Sequence, residues 1–423
     1  MKRARTFDLF AINAYWFGLS ILWNSLHVII LPAVLLNYVP ETHKNTYLGL
    51  MTFVGLIIAM IVQPISGSLS DRWRSRWGRR RPLIALGTAL DFIFLAILGW
   101  AGGLLWLAIG YIGLQFTSNI AHGPAQGLIP DRVPPEQHGA ASGVKNLLDM
   151  GGLVVASLVM GNLLDPQAPN ALIPLGVVAA VLSISALSTL LGVREVPSQG
   201  LAVVGSTSLQ PPAAARDWLA SSRKSPYAWL IGSRFLFLLG IYDIQVFAQY
   251  YIRDVIPTDN PIKLTGDLLA SITLALIVCA LAGGWIGDRI GHKRVQYAAS
   301  GIGALGCLLL LMAKDANSLL VFGGVTGVGI GLFITANWAL LSRMAPLTQA
   351  GAYLGLTNLA TAGSGALGRL MGPVIDGLNN ANPGAYNGYT AMFIFGAVCT
   401  GLSTLLLVKV PEKRQRIFPS KDG

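Results

Sequence analysis

The chain has 423 residues, of which 53% are hydrophobic and only 12% charged, with a formal net charge of +11. A soluble domain carries about a quarter charged residues, so this composition excludes an ordinary soluble protein. Runs of roughly 18 or more nearly uncharged residues recur along the chain, each long enough to cross the apolar core of a bilayer. Backbone groups inside lipid must be satisfied within the segment, so the runs predict helices rather than the alternating strands of a barrel.

Twelve membrane-spanning helices are predicted in chain order. The first six lie near residues 8–37, 46–69, 82–102, 104–130, 138–163 and 171–192. The last six lie near residues 226–251, 264–287, 295–313, 317–342, 350–375 and 388–409. Residues 194–225 are rich in Ser, Pro, Ala and Gly and lack a sustained apolar run. We therefore expect an N-terminal six-helix bundle over residues 1–193, a cytoplasmic linker over 194–225 and a C-terminal six-helix bundle over 226–423.

Basic residues collect in every second loop. They are Lys2, Arg3 and Arg5; Arg72, Arg74, Arg76 and Arg79 to Arg81; Arg216, Arg223 and Lys224; Arg289, Lys293 and Arg294; and Lys413, Arg414 and Arg416. This positive-inside pattern predicts a multi-pass protein of the cell membrane with both termini in the cytoplasm. Because the basic residues are dispersed between spans, they do not form a nucleic-acid site. The three cysteines are far apart within apolar spans and indicate neither a disulfide framework nor a metal site.

An internal repeat supports the division into halves. Residues Gln137, Gly139, Ala140, Gly143, Asn146, Leu147 and Gly151 recur as Gln349, Gly351, Ala352, Gly355, Asn358, Leu359 and Gly363. Every pair is offset by 212 residues, as Asn146 and Asn358 illustrate. Both copies fall in the fifth span of their half. Parallel repeats of this kind allow a central site to alternate its access between the two sides of a membrane.

The strongest local motif is a predicted turn between spans two and three. It comprises Gln63, Pro64, Gly67, Ser70, Asp71 and Arg72, followed by Ser75, Gly78, Arg79, Arg80, Arg81 and Pro82. Glycine allows close helix approach, and the basic cluster suits the anionic lipid of the cytoplasmic leaflet. A weaker copy with Gly284, Asp288 and Arg289 occurs in the second half. We interpret Gly67, Asp71 and the arginines as a conformational latch; the alternative is a plain topology signal.

At these residues the chain resembles the major facilitator superfamily. The Gln-Pro entry and Gly-Arg-Arg-Arg-Pro exit resemble plant sucrose transporters and their animal relatives, among the glycoside–pentoside–hexuronide:cation symporters. Span four adds Asn119, Gly123, Pro124, Leu128 and Asp131, which match a pattern of the same group. The resemblance implies an all-α fold of twelve helices in two pseudo-symmetric bundles, and transport by alternating access without ATP hydrolysis.

Two departures concern ion coupling. The position that resemblance would make the proton acceptor of sucrose transporters is Gln115 here, and their arginine after Gly-Pro is Gln126. The span-two carboxylates of the sodium-coupled melibiose permeases correspond to Ala59 and Gln63. Coupling therefore cannot be carried over from the resemblance.

Ionisable residues within the bilayer are candidates for function because they are costly to bury. Asp91 lies in span three, Lys145 and Asp149 are four residues apart on span five, and Arg234 and Asp243 lie on opposite sides of span seven. We predict coupling roles for these five residues, with proton exchange at Asp243; the alternative for each is a structural pair or a satisfied buried group. Arg369 in span eleven is either a ligand or a side chain that extends to the interface.

Polar and aromatic side chains share faces on spans one, four, seven and ten. The predicted substrate-binding residues are Trp16, Ser20, Trp23, Asn24, His27, Gln115, Asn119, His122, Tyr242, Gln245, Asn337 and Trp338. Aromatic platforms with amide and imidazole groups suit a polyhydroxylated ligand, although interhelical hydrogen bonds are the alternative.

The sequence thus predicts a monomeric secondary transporter of a small polar solute, a sugar or glycoside, coupled to protons. A uniporter, an exporter of amphipathic compounds or lipids, and a solute sensor stay open as alternatives. Partners are expected to be the solute, membrane lipid and protons. No enzymatic constellation, metal site, cofactor or nucleic-acid partner is expected.

Overall fold

The structure is a computed structural model that describes residues 5–167, 169–193, 226–344 and 350–411. Helices occupy all twelve predicted segments. They are α1 Thr6–Leu35, α2 Lys44–Arg72, α3 Arg81–Gly99, α4 Leu104–Gln126, α5 His138–Leu163, α6 Leu172–Gly192, α7 Pro226–Val255, α8 Pro261–Ile290, α9 His292–Leu311, α10 Ala316–Met344, α11a Ala350–Gly368 with α11b Gly372–Ala381, and α12 Asn387–Leu407. Within the described residues, 11 helical segments are long and apolar enough to cross a membrane. The all-α prediction is confirmed.

The eleventh span differs from a single straight helix. A 3-10 turn, Arg369–Met371, separates α11a from α11b. The predicted linker, residues 194–225, lies outside the described part of the chain, as do Lys2, Arg3, Lys413, Arg414, Arg416 and the repeat residue Gln349. The exact division between the halves therefore stays a prediction.

The helices pack as two bundles with the same internal arrangement. In the first, α1 contacts α5 and α6, α2 contacts α4, and α3 contacts α4 and α6. In the second, each of these pairs is repeated six helices later, with α7 against α11 and α12, α8 against α10, and α9 against α10 and α12. The two bundles meet where α5 packs on α8 and α2 packs on α11. The expected pseudo-symmetry is therefore present in the packing as well as in the sequence.

The two ends of the molecule differ in how the bundles are joined. We call the end with the loops after α1, α5, α7 and α11b the closed end, and the end with residues 5, 73–80 and 411 the open end. The hydrogen bonds recorded between bundles in the described chain join residues 28–46 to residues 249–254 and 376–389. All of these residues lie in the closed half of the molecule, so the bundles are sealed there.

The first element of the seal is a helix cap supplied by the opposite bundle. Asp376 of α11b accepts hydrogen bonds from the Thr46 backbone N–H (2.6 Å) and from the Asn45 side chain (2.8 Å) and backbone (3.4 Å). These backbone donors belong to the first turn of α2, where the N–H groups have no partner within the helix. The carboxylate also lies at the positive end of the helix dipole. Asp376 therefore stabilises α2 only while the bundles are together at this end.

Ion pairs next to this cap form the second element of the seal. Lys44, which is 6% exposed, lies 2.7 Å from a carboxylate oxygen of Asp254 and 3.1 Å from Glu41. Glu41 in turn pairs with Arg253 at 2.6 Å, and Asp254 accepts from the Tyr389 hydroxyl at 2.6 Å. The buried Lys44 ammonium is thus paired with a carboxylate of the other bundle, and separation would leave Lys44 with Glu41 alone and Asp254 without a cation.

Glycines allow the backbones of α2 and α11 to touch beneath the seal. A Cβ atom on Gly49 would lie 2.3 Å from the Arg369 carbonyl oxygen, and one on Gly372 would lie 2.3 Å from the Asn45 carbonyl oxygen. Both contacts are with backbone atoms, which cannot rotate away. Larger residues at either position would therefore hold the bundles apart.

An irregular turn in α1 forms the third contact between bundles. Residues Ser25–Ile30 form a π-helical turn, and Pro32, which follows, has no N–H to donate to the carbonyl four residues earlier. In the amide orientation that matches its surroundings, Gln249 donates to the carbonyl oxygens of Val28 (2.8 Å) and Ile29 (3.0 Å). Tyr250 donates to the Pro32 carbonyl at 2.9 Å. Side chains of α7 thus satisfy the backbone groups that α1 leaves open.

We expect Asp376→Ala to increase the fraction of molecules in which the two bundles are separated at the closed end. Hydrogen bonds to a charged group contribute about 1.5–3 kcal/mol each, so the shift should be roughly tenfold or more. Spin labels at Trp100 and Met312, which are 72% and 65% exposed near the closed end of opposite bundles, would report it as longer distances in a variant without native cysteines.

Asp315→Ala is the matched control. Its carboxylate is exposed at the same end, and hydrogen bonds from the Ser318 backbone and side chain hold the pKa of Asp315 below its ordinary value, so it is ionised at neutral pH. Its bonds stay within one bundle. An unchanged distance distribution in Asp376→Ala, or an equal change in the control, would refute the role assigned to the cap.

Candidate functional site

A cavity of about 940 Å³ lies between the bundles beneath the seal. Its wall comes from both bundles, with residues of α1, α2, α4 and α5 on one side and of α7, α10 and α11 on the other. It extends past Gly67, Ile129 and Gly355 toward the open end, where the described chain records no hydrogen bond between the bundles. The volume matches the upper range of cavities that hold small organic ligands.

Most of the predicted substrate-binding residues line this cavity. They are Trp16, Trp23, Asn24, His27, His122, Tyr242, Gln245 and Trp338. Two aromatic arrangements organise the α1 side of the wall. The Trp23 and His27 rings stack with centroids 5.1 Å apart, and the Trp16 and His122 rings meet edge to face at 5.0 Å. The helical-face prediction for α1 therefore located residues that share one surface.

Four predicted binding residues lie behind the wall instead. Ser20 donates to the Asp149 carbonyl at 2.6 Å, and Asn119 donates to the Gln115 carbonyl at 2.7 Å. Asn337 is fully buried and accepts a hydrogen bond from Arg234 at 3.1 Å. Ser20, Gln115, Asn119 and Asn337 are therefore not among the residues that line the cavity in this conformation, and their part in substrate binding stays a prediction.

Gln115 positions an imidazole in the wall. Its amide nitrogen lies 2.8 Å from the Tyr111 hydroxyl and 3.1 Å from Nε2 of His27. His27 Nε2 is also 2.9 Å from the Tyr111 hydroxyl. The three groups form a closed triangle, which orients the His27 ring against Trp23. The amide that replaces the expected carboxylate therefore has a structural role in the wall.

Three basic residues lie in or directly behind the wall. The Lys145 ammonium is 3.8 Å from the Trp16 ring centroid, and no salt bridge to Asp149, the alternative interpretation of this pair, is present. Arg234 donates to Thr361 at 2.9 Å and to Asn337, and lies over the Trp338 ring. Arg369 lines the cavity and is only 7% exposed. Its side chain therefore points inward rather than to the membrane interface.

The three intramembrane carboxylates lie off the cavity. Asp91 is fully buried and accepts a hydrogen bond from Thr117 at 2.6 Å, between α3 and α4. Asp243 is fully buried on the side of α7 away from the wall, and its Oδ2 has no partner in the described chain. Asp149 lies one turn beyond Lys145 on α5 but is not part of the wall. The predicted coupling carboxylates thus lie off the cavity, whereas the predicted coupling cations Lys145 and Arg234 lie against Trp16 and Trp338.

Several cavity residues were not predicted. These are Gln63, Gln126, Asn358, Thr361 and the apolar Leu56, Met60 and Leu359. Two signals could have located part of this set. Gln126 follows His122 by one helical turn and lies within 3.4 Å of its ring nitrogen, and Asn358 belongs to the internal repeat. Among the described residues, no group of three His, Cys, Asp or Glu side chains could hold a metal ion.

The predicted latch residues form a charge cluster at the open end of the first bundle. Arg80, which is 6% exposed, pairs with Asp71 at 2.6 Å and with Asp131 at 2.8 Å. Arg79 also binds Asp131, through Nε at 3.1 Å. Gly78 adopts a left-handed φ of +94° that turns the chain toward α3, and Gly67 faces Gly123 where α2 crosses α4. The cluster ties three helices of one bundle together.

The second copy of the motif has a looser geometry. Asp288 lies 3.3 Å from Arg343 and 3.7 Å from His292, and is 69% exposed. Arg289 lies 3.7 Å above the Trp285 ring. Arg72 and Arg81 belong to the same open-end surface, at the end of α2 and the start of α3. The switching role of these residues stays a prediction.

The chain is similar to an efflux pump, a solute carrier and a nucleoside transporter. The chain is 24% identical over 416 residues to multi-drug resistance efflux pump PmrA of Streptococcus pneumoniae serotype 4, covering 94% of this chain and 96% of that protein. Solute carrier family 45 member 3 of Mus musculus is 30% identical over 167 residues, which cover 36% of this chain and 30% of that protein. The crystal structure of nucleoside transporter NupG superposes with a TM-score of 0.72 at 14% identity, covering 97% of this chain and all of that one.

These likenesses agree with the predicted superfamily, and the NupG comparison supports the fold alone. The decisive match is the model of the MFS/sugar transport protein family, which covers residues 17–368. The chain therefore belongs to the MFS/sugar transport protein family, and is a multi-pass membrane transporter rather than an enzyme.

Proposed function

We propose that this transporter moves a sugar or glycoside by alternating access, coupled to protons. The observation that carries the proposal is the cavity between the bundles, whose wall combines aromatic rings with neutral hydrogen-bonding groups from both halves. A ligand bound there would touch both bundles. Its binding energy could therefore favour one arrangement of the bundles over another.

The seal and the open end support the alternating-access mechanism. The cavity is closed by the capping carboxylate and the ion pairs, and extends toward the end that carries residues 5 and 411. With the positive-inside orientation that we propose, this end faces the cytoplasm of a cell-membrane protein. The structure then corresponds to an inward-facing state, and rocking of the bundles would break the seal to expose the site outward.

The α1 wall supports a polyhydroxylated substrate. The stacked Trp23 and His27 rings offer a flat apolar surface for the carbon face of a sugar ring. Asn24 and Gln245 add amide groups from opposite bundles, and Gln126 adds a third. Each amide can donate and accept hydrogen bonds, so it can pair with a hydroxyl group that acts as either acceptor or donor.

Export of amphipathic compounds is a second candidate function. Leu56, Met60 and Leu359 give the cavity an apolar part that a free sugar would not need. The full-length similarity to a protein named as a multi-drug resistance efflux pump favours the same alternative. The two candidates differ in what binds, so a substrate panel separates them.

Proton coupling requires a group that changes protonation during the cycle. Asp243 is fully buried at the centre of the second bundle, forms no salt bridge within the described chain, and packs beside the α11a residue Gly368. Because α11 also forms the cavity wall, movement of α11 would change the surroundings of this carboxyl group. This position supports our choice of Asp243 over Asp91, which lies within the first bundle.

We expect Trp23→Ala to raise the KM for the transported sugar about tenfold, because the stacking platform is lost, with a smaller effect on the maximal rate. The measurement is uptake of labelled sugars and glycosides into proteoliposomes. Trp106→Ala is the control, since Trp106 is 55% exposed on the outside of α4 and lies off the cavity. If no sugar or glycoside is transported or bound, the sugar assignment is wrong.

We expect Asp243→Asn to abolish accumulation driven by an imposed pH gradient while exchange of substrate across the membrane persists. The amide keeps the shape of the carboxyl group but cannot titrate. Substrate accumulation and counterflow in the same proteoliposomes distinguish the two effects. The control is Asp165→Asn, since Asp165 is exposed in the loop after α5 at the closed end. Undiminished pH-driven accumulation in Asp243→Asn would refute its role, and a wild-type protein indifferent to the gradient would indicate a uniporter.

A further inference from the structure

The charge of the cavity is unbalanced. Lys145 and Arg369 line it, and among its lining residues none is acidic. Arg234 adds a third cation directly behind Thr361 of the wall. Both bundles contribute to this cationic set, since Lys145 belongs to the first and the two arginines to the second. A ligand between the bundles would lie among all three.

Arg369 is a buried cation with an unpaired hydrogen-bond donor. It is 7% exposed at the 3-10 turn between α11a and α11b, and its Nη1 donates to the Gly365 carbonyl at 2.6 Å. Its Nε has no hydrogen-bond partner in the described chain. Its electrostatic neighbours are neutral side chains, Tyr111, Tyr242 and His27. A guanidinium presents five donors suited to a carboxylate or phosphate, and here most of them are left without an anion.

The other two cations also lack a carboxylate in direct contact. Lys145 lies against the Trp16 ring, and Asp149, one turn away, stabilises its positive charge only from a distance. Arg234 donates to an amide oxygen and a hydroxyl, both neutral, and lies over Trp338. Hydrogen bonds and ring faces lower the cost of these charges, but they do not neutralise them.

Buried cations in other parts of the described chain have acidic partners, unlike those around the cavity. Lys44 at the seal is as deeply buried as Arg369, yet it has two carboxylates within salt-bridge distance. Arg80 at the open end likewise has Asp71 and Asp131. Within the described residues, the buried Lys and Arg side chains away from the cavity are thus paired with acids, and those around it are not. An unpaired buried cation is a functional site by default in a membrane protein.

We propose that the transported solute is an organic anion, with a carboxylate, phosphate or sulfate group that binds Arg369 and a ring that stacks on the Trp23 and His27 platform. Arg369 would bind the charged group at the floor of the cavity. By the internal repeat Lys145 is level with position 357, so it lies roughly 18 Å nearer the open end than Arg369 at the rise per residue of a helix, where it would attract the anion on entry. The proposal rests on transport through this cavity and narrows the substrate class.

The test uses matched ligand pairs that differ in charge but keep the same ring. Suitable pairs are glucose with glucuronate, phenyl glucoside with phenyl glucuronide, and benzyl alcohol with benzoate. Binding to the purified full chain is measured by tryptophan fluorescence, and uptake is measured in proteoliposomes. We expect the anionic member of at least one pair to bind about tenfold or more tightly than its neutral partner, and to be transported.

Arg369→Gln should remove this preference, because the anion loses its partner while the neutral ligand keeps its stacking surface. Arg369→Lys should restore part of the preference. If Arg369→Gln fails to fold, Lys145→Gln is the second variant, which should weaken binding of the anionic ligand without altering the fold. Arg343→Gln is the control, because Arg343 is exposed and pairs with Asp288 away from the cavity. Thermal unfolding of each variant separates lost binding from lost folding.

The outcomes distinguish this proposal from the sugar assignment. Transport of benzoate without any sugar derivative would support the anion and refute the sugar. Transport of neutral sugars at least as well as their acids would refute the anion and support the sugar. Binding by no anion in the panel, or an equal loss for both members of a pair in Arg369→Gln, would overturn the proposal.

Discussion

The arrangement of this transporter depends on one interaction, in which Asp376 of the second bundle caps the first turn of α2 in the first. A helix start in a membrane protein leaves backbone donors that need partners. At the start of α8 the partner is local, because Asn260 accepts from the Lys263 N–H, whereas α2 receives a carboxylate from another bundle. The cap therefore has value only in the closed arrangement. With the Lys44–Asp254 pair beside it, the cap holds the closed end together and leaves the cavity accessible from the other end.

The two breaks in regular helix carry the polar groups at the floor of the cavity. His27 lies in the π-helical turn of α1, and Arg369 begins the 3-10 turn after α11a. Both turns lie next to the seal, where they also approach the opposite bundle. Irregular backbone inside a membrane is tolerated where protein or water satisfies its polar groups. A change at the seal would therefore reach the cavity residues directly through these turns, without a longer path.

The sequence could predict those features that follow from local pattern. Apolar run length predicted all twelve helices, and the helical face of α1 located Trp16, Trp23, Asn24 and His27 in the wall. The sequence could not predict which polar residues that are far apart along the chain contact one another. Asn45 and Asp376 are 331 positions apart, and no periodicity connects them. The same limit applies to Gln115, whose spacing places it on the right helix but whose amide is held by Tyr111 and His27.

The distribution of charge separates the structural from the functional parts of the molecule. At the predicted latch, Arg79 and Arg80 share Asp131 and Arg80 also pairs with Asp71, so that α2, α3 and the segment after α4 are held by charges that neutralise each other. Such a cluster gains nothing from a ligand and keeps one bundle rigid. Around the cavity, Arg369 and Lys145 have no acid in contact within the described chain, and they stand on helices that belong to different bundles. A charge that is balanced only when a ligand is present makes the energy of the bundle arrangement depend on that ligand, which is what a transporter requires of its binding site.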